Sequence, residues 1–600
     1  MFLNKACEVT SLRIKPFQLD AYIYNTEKPI PCHNHQKIMA MSMLINFFFI
    51  LILLVLPSFE ALSDENIIPS SGAIQTQDMQ ALIAQACMDI ENQHSCLTNI
   101  QNELIKIGPP SPTSVMSAAL KTTLNEAITA IDNITKITTF SVSYREQQAI
   151  EDCKELLDFS VSELAWSMGE MRKIRGGENY NVQQEGNPNL EAWLSAALSN
   201  QDTCLEGFEG TDRRLESYIS GSLTQVTQLI SNVLSLYTQL HRLPFRPPRN
   251  TSAAAAATGV TNFDDEIDER LLEFPEWMNE GDQELLKSKP HGTRADAVVA
   301  LDGSGHYRSI TEAVNAAPSN SNRRYIIYVK KGLYKENVDM KRKMTNIMLV
   351  GDGIGQTIVT SNRNFMQGWT TFRTATFAVS GRGFIARDMT FRNTAGPVNH
   401  QAVALRVDSD QSALYRCSIE GHQDTLYAHS LRQFYRECEI YGTIDFIFGN
   451  GAAVLQNCKI YTRVPLPLQK VTITAQGRKS PHQSTGFTIQ DSYVLATQPT
   501  YLGRPWKQYS RTVYINTYMS GLVQPNGWLE WFGNFALNTL WYGEYRNYGP
   551  GSSLMGRVKW PGYHVIKDAS TASFFTVQRF LNGDTWLPRT GVKFTAGLTN

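Results

Sequence analysis

Tyr415-Arg-Cys-Ser-Ile-Glu420, Arg436-Glu-Cys-Glu-Ile-Tyr441 and Gln456-Asn-Cys-Lys-Ile-Tyr461 are three copies of one short, strand-like pattern centred on a cysteine. Two further segments, Ala386–Phe391 (ARDMTF) and Ile489–Val494 (IQDSYV), align with them. With Asp388, Cys417, Cys438, Cys458 and Asp491 as markers, the steps are 29, 21, 20 and 33 residues. A period of about 20 residues with longer loops inserted predicts a right-handed parallel β-helix, in which each turn buries its apolar face only by stacking on the next. A β-sandwich is the competing architecture. Its hairpins would call for two-residue turns of the Asn-Gly kind, and these are scarce here. Stacking puts Cys438 and Cys458 at equivalent positions on neighbouring turns, which predicts a disulfide between them and leaves Cys417 free and buried.

The same repeat stacks two carboxylates. Asp424, in Gln423-Asp-Thr-Leu426, and Asp445, in Asp445-Phe-Ile-Phe-Gly449, each follow a marker cysteine by seven residues. Like charges one inter-strand spacing apart (~4.8 Å) repel, and one pKa is pushed upward. Asp445 is set among Ile444, Phe446, Ile447 and Phe448, and Asp424 precedes Leu426 and Tyr427, so both should be partly desolvated. One would then hold a proton while the other stays ionised, the division needed for an acid and a base or nucleophile. Gln423 and Gln401 could supply amide donors to a developing oxyanion, although Gln401 taken alone is as readily a bond to the solenoid backbone. Arg504 and Trp506, in Leu502-Gly-Arg-Pro-Trp506, pair a fixed cation with an aromatic plate. That pairing suits an ionised carboxylate and a sugar face, though it also occurs as plain surface packing. His422 and His429 flank the first aspartate and read as hydrogen-bonded structural histidines.

Upstream, residues 74–240 carry apolar residues at three-to-four spacing in successive segments, which predicts an all-α four-helix-bundle domain. Its four cysteines pair most simply as Cys87–Cys96 and Cys153–Cys204. Residues 241–290 read as a linker, with Leu243-Pro-Phe-Arg-Pro-Pro248, five alanines and an acidic run. Residues 291–600 form the β-helix domain. Charge divides at the same place: residues 291–600 hold 34 Lys/Arg against 19 Asp/Glu, a net +15, leaving −16 for residues 1–290. A basic half suggests a polyanionic partner, and an acidic half in cis could screen it.

Residues 1–63 read as a leader and signal peptide whose apolar run, Leu44–Leu56, fits an h-region and is short for a membrane span. Met39, Met41 or Met43 would give the signal a conventional start. Asn133 and Asn250 head N-x-Ser/Thr sequons, consistent with export and glycosylation. No G-x-S-x-G elbow, C-x-x-C pair or H-E-x-x-H motif is present, so a serine hydrolase of that type and a zinc site are disfavoured.

Taken together, Gly332-Leu-Tyr-Lys-Glu336, Gln401–Leu405, Gln423–Leu426, Asp445–Gly449 and Leu502–Trp506 resemble, in order, the signature segments of the plant pectin methylesterases. The helical half resembles the inhibitor domain that precedes the enzyme in the pro-form members. The resemblance implies hydrolysis of the methyl esters of homogalacturonan without metal or cofactor, in the apoplast, with no nucleic-acid partner. It implies Asp445 as nucleophile, Asp424 as proton donor and then base, and Gln423 as stabiliser of the transition state. Gln401, Arg504, Trp506 and Thr371 would bind substrate. The implied partners are pectin, the inhibitor-like domain in cis, separate proteinaceous inhibitors and a processing protease. Where pro-form members carry a dibasic Arg-Arg/Lys-Leu-Leu site, this chain has Glu269-Arg-Leu-Leu272 and Gln283-Glu-Leu-Leu286. A polygalacturonase or lyase of the same fold, or a non-catalytic wall-binding protein, are the alternative readings.

Overall fold

The computed structural model describes residues 71–108, 111–137, 143–175, 187–211, 214–241 and 295–599. The leader, the linker, Asn250 and both Leu-Leu stretches lie outside them.

Parallel pairing builds the C-terminal half. Its strands form three sheets of eleven, seven and eight strands, here sheets A, C and B, and every ladder between them is parallel. The chain runs A to B to C and back to A, one turn per circuit. Thus β11 (Ser412–Tyr415), β12 (Ser418–Glu420) and β13 (Leu426–Ala428) make one turn, and β14 (Arg432–Arg436), β15 (Glu439–Gly442) and β16 (Ile447–Gly449) make the next. No antiparallel sandwich is present among the described residues.

In-register stacking makes the core a set of ladders. Along sheet A, Ile327, Leu349, Ala386, Leu414, Tyr435, Leu455, Ile489 and Tyr514 point inward one above another. Each of these side chains is fully buried, and together with the inward residues of the other two sheets they fill the tube. A short helix, Ile310–Ala316, covers one end with Ile310, Ala313 and Val314, so the first turn does not offer bare edge and core to solvent.

The corner from sheet A to sheet B is the same in seven successive turns. Asp388, Arg416, Glu437, Asn457, Asp491, Asn516 and Arg546 each take a left-handed backbone there, with φ from +47° to +58°. This corrects the sequence alignment by one residue at its ends. Asp388 and Asp491 belong to that corner, opposite Arg416 and Asn457, so Cys417 stacks on Met389 and Cys458 on Ser492. The true steps are therefore 28, 21, 20 and 34 residues.

The helical half holds four long helices: Pro112–Ile137, Tyr144–Arg175, Pro188–Glu206 and Arg214–His241. These pack as a closed four-helix bundle. A helical hairpin, Ser71–Ala86 and Gln93–Ile107, rests on it. The second arm starts at a cap where the Asn92 side chain accepts from the Ser95 N–H (3.1 Å), and the sequence pattern did not separate it as an element. Cys87–Cys96 and Cys153–Cys204 are both bonded. Asn133 lies exposed on the Pro112–Ile137 helix.

The Cys438–Cys458 disulfide expected from stacking is not formed; Cys417, Cys438 and Cys458 are all free and buried. Parallel in-register neighbours point the same way, so their Cβ atoms stand at the inter-strand spacing of about 4.8 Å. That is wider than the roughly 3.5–4.5 Å of a disulfide. Each thiol faces backbone carbonyls instead, Cys438 those of Arg436 (3.4 Å) and Leu414 (3.5 Å) and Cys458 that of Tyr435 (3.5 Å). Burial, then the neighbouring thiols, pushes the Cys438 thiol well up, which keeps it protonated and unreactive. Alkylation of the folded chain without reductant should therefore leave all three untouched, and denaturation should expose all three. Mass spectrometry that found Cys438 linked to Cys458 would overturn this assignment.

Candidate active site

The outward ladder of sheet C makes the floor of the site. Tyr427 on β13, Phe448 on β16, Ala475 on β19 (Val471–Gln476) and Arg504 on β22 (Thr500–Pro505) stand side by side. Tyr427 and Phe448 stack at 4.1 Å between centroids. Asp424 and Asp445 lie two residues before β13 and β16, at the corner where sheet B turns into sheet C. Both have left-handed backbones, with φ +61° and +50°. Residues other than glycine avoid this region, aspartate tolerates it better than most, and such backbones concentrate at functional sites. The corner turns both carboxylates outward over the floor, one turn apart.

Their surroundings differ. Asp445 is 6% exposed and Asp424 8%, so both have lost most of their water. Asp445 recovers it from protein donors. Arg504 gives Nη2 to Oδ2 (2.6 Å) and Nε to Oδ1 (2.9 Å), and Thr472 gives its hydroxyl to Oδ1 (2.6 Å) while accepting from the Asp445 N–H (3.0 Å). A guanidinium so placed fixes the orientation of the carboxylate through paired, charge-assisted hydrogen bonds. The Asp424 carboxyl has no hydrogen-bond donor among the described residues. Burial first, and then the charge of Asp445, push it well above the usual carboxylate range, with Arg504 opposing. The pair is therefore unequal: Asp445 is held by donors, while Asp424, without one, is pushed toward its protonated form.

The residues singled out from sequence come together. Thr371, Gln401, Gln423, Asp424, Asp445, Arg504 and Trp506 all line one cavity of about 310 Å³. The side-chain amides of Gln401 and Gln423 have no acceptor among the described residues, which leaves them available to a substrate oxygen. Trp506 leans on Phe448 with 5.9 Å between centroids, and Gly477 lets it seat, since a Cβ there would lie 2.9 Å from the ring. His429 is structural, as expected: its ring bonds Ser430 (3.1 Å) and Thr203 (3.0 Å), and burial, with Arg406 and Arg342, lowers it to about 3. The sequence reading missed Thr472 and Trp531. Thr472 sits in Val-Thr-Ile-Thr-Ala-Gln, where threonine reads as an ordinary strand former. Trp531, over which the Arg504 guanidinium lies at 4.2 Å, comes from a loop with no pattern of its own.

The cavity is closed by the helical half. Thr203, Glu206, Gly207 and Glu209, at the end of the Pro188–Glu206 helix, form its fourth wall. Around them run six ion pairs, each with its carboxylate on the helical half and its cation on the β-helix. They are Glu163–Arg342 (2.9 Å), Glu155–Lys341 (2.8 Å), Glu155–Arg373 (2.5 Å), Asp202–Lys479 (2.8 Å), Glu206–Lys507 (2.6 Å) and Asp152–Arg373. The apolar core of the bundle runs on without a break into Phe372, Ala378, Tyr427, Phe448 and Ala475 of the floor.

Comparison with known proteins agrees with this division. The family model "Pectinesterase" matches residues 296–584, and "Plant invertase/pectin methylesterase inhibitor" matches residues 81–236. A relative from Arabidopsis thaliana described as a pectinesterase/pectinesterase inhibitor is 64% identical over 531 residues, 87% of this chain and 94% of its own. Pectinesterase 2 of Citrus sinensis is 45% identical over 86% of this chain and 92% of its own. Among solved structures, pectin methylesterase from carrot superposes with a TM-score of 0.50 at 52% identity, covering 51% of this chain and 98% of that one.

The upward push on Asp424 can be read directly. An infrared difference spectrum between the intact chain and Asp424→Asn at neutral pH should show the loss of one protonated-carboxyl band.

Proposed function

We propose a residue-level mechanism for a chain that belongs to the pectinesterase family, as its relative at 64% identity over 94% of that relative's length establishes. The enzyme hydrolyses the methyl esters of pectin to free carboxylates and methanol. Asp445 attacks the ester carbonyl carbon through Oδ2, which among the described residues accepts only from Arg504, while Thr472 and the Arg504 Nε fix Oδ1. The amides of Gln423 and Gln401 stabilise the oxyanion of the tetrahedral intermediate. As it collapses, Asp424 gives its proton to the departing methoxide. The acyl bond to Asp445 is then hydrolysed by a water whose proton returns to Asp424. Arg504 holds Asp445 in its attacking orientation, and Trp506 and Thr371 hold the sugar. The single observation that supports these roles best is the unequal partnering of the two buried aspartates.

In this reading the helical domain masks the site in cis, because a polymer cannot reach a cleft walled by Thr203–Glu209. Separate inhibitor proteins and a protease acting in residues 241–290 would be partners of the same surface and of the linker. Disulfides, sequons and the apolar run at Leu44–Leu56 favour passage through an oxidising export route to the cell wall.

Methanol release from methyl-esterified pectin tests the whole. The chain cleaved within residues 241–290 and freed of its helical half should be active, the intact chain should be nearly silent, and Asp445→Ala should abolish release. A fully active intact chain would contradict the mask; unsaturated ends absorbing in the ultraviolet would instead mark a lyase. In the cleaved enzyme Thr472→Val should lower kcat roughly ten- to a hundredfold with little change in KM, the loss of one hydrogen bond to a charged group, and Thr472→Ser should restore it.

The stability of the masked chain should depend on pH. Burial, opposed by Arg342, raises Glu163 to about 7, against about 4.3 for a solvated glutamate. The folded chain therefore keeps a proton that the unfolded chain loses. The stabilisation is full below about pH 4.3 and lost as pH rises through about 7. The thermal midpoint of the intact chain should carry a component that falls from about pH 5 to about pH 8. Glu163→Gln should flatten that fall.

A further inference from the structure

A second cleft, of about 450 Å³, opens on the outer face of sheet B and shares no lining residue with the site above. Three side chains in register span it: Lys335 on β3 (Gly332–Lys335), Thr360 on β6 (Thr357–Ser361) and Arg392 on β9 (Thr390–Asn393). They follow one another at the inter-strand spacing of about 4.8 Å. Thr360 therefore lies between two cations. It is 7% exposed, and its hydroxyl oxygen, itself covered from solvent, has no hydrogen-bond partner among the described residues. A buried hydroxyl left unpaired is costly, so one lying between two long cationic side chains at the edge of a cleft points to an acceptor from outside the chain, admitted when those side chains shift.

The neighbouring groups narrow the choice of acceptor. Among the described residues, exposed Lys335 has no ion pair, and Arg392 spends only its Nε, on Glu420 (2.7 Å), which leaves both Nη groups without an acceptor there. The acid in the lining, Glu336, is already engaged by the Ile310 N–H (2.9 Å), the Thr311 N–H (2.9 Å) and the Thr311 hydroxyl (2.7 Å), so it does not recruit a cation. Ser361 and Asn337 bond each other (2.7 Å) and form a fixed polar wall. Leu333, 44% exposed, adds an apolar edge. Two cations, one hydroxyl donor, a polar wall and an apolar edge fit a carboxylated sugar.

We propose that this cleft is an exosite for de-esterified homogalacturonan, holding a galacturonate carboxylate between Lys335 and Arg392 with the Thr360 hydroxyl as third donor. The inference rests on the reading of the chain as acting on that polymer. An enzyme that grips its own product at a second place would stay on a chain whose remaining esters it has yet to reach.

The masked state makes the test clean, because in the intact chain the catalytic cavity is walled off. Calorimetric titration of the intact chain with hexagalacturonate should show binding, and with the fully methyl-esterified hexamer or inorganic phosphate much less. Lys335→Gln and Thr360→Val should each weaken hexagalacturonate about tenfold, the loss of one charge-assisted bond. Thr360→Val should leave thermal stability unchanged or raised, since it removes only an unpaired group. Neither variant should alter methanol release from a short esterified substrate by the cleaved enzyme. No binding to the intact chain, binding that both variants leave unchanged, or phosphate binding without saccharide binding would each overturn the exosite. Failure of methanol release with hexagalacturonate binding intact would instead sink the catalytic reading and leave the exosite standing.

Discussion

Everything in the catalytic half depends on one spacing, the distance from a strand to its parallel neighbour. Backbone hydrogen bonds hold each turn at that distance from the last, and register fixes which side chains meet. Inside the tube this stacks Ile327, Leu349, Ala386 and Leu414 into a continuous core. At the corner between sheets B and C the same spacing forces Asp424 against Asp445. An arrangement that would be unfavourable for two solvated carboxylates becomes useful once one is gripped by Arg504 and Thr472 and the other is left dry. The chemistry follows from the architecture's pitch, with protein donors distributed unequally along it.

Much of this was legible in the sequence because periodicity carries over directly into space. The 21-residue interval between Asp424 and Asp445 is an interval of one turn, and Leu426 does pair with Ile447. The charge division at the linker was legible for a similar reason: opposite net charges on two halves become six ion pairs of one polarity when the halves meet. What the sequence concealed was direction. Equivalent positions told that Cys438 and Cys458 are neighbours, but in a parallel ladder neighbours face the same way, so adjacency did not make a bond. Thr472 was hidden because its value lies in a hydrogen bond across 27 residues, in a strand whose composition is unremarkable. The one-residue slip at Asp388 and Asp491 arose because an acidic residue suits a left-handed corner as well as a strand face, and only backbone geometry separates the two.

The helical half fits its place by two independent means. Its apolar core continues into the aromatic floor of the site, which supplies area, and its carboxylates meet the rim cations, which supplies orientation. Burial of Glu206 and Asp152 raises both, the cost of setting charges into a dry interface, and Lys507 and Arg373 offset it. Such an interface is strong while complete and weak once opened, because each pair owes its strength to the water excluded by the others.

The corner between sheets A and B has a consequence for how such a molecule can vary. Seven turns pass it with a single left-handed residue between strands, so it works as a sewn seam: an added residue there would shift the register of the turn that follows. Across these seven turns length changes only along the open side, where the turns of 28 and 34 residues keep their extra chain. That side also carries the aspartates, the glutamines and Trp506. This run of turns thus confines its freedom to lengthen to the edge where a polymer is recognised, and a lineage of such proteins could reshape what it grips while leaving the stack that holds its carboxylates untouched.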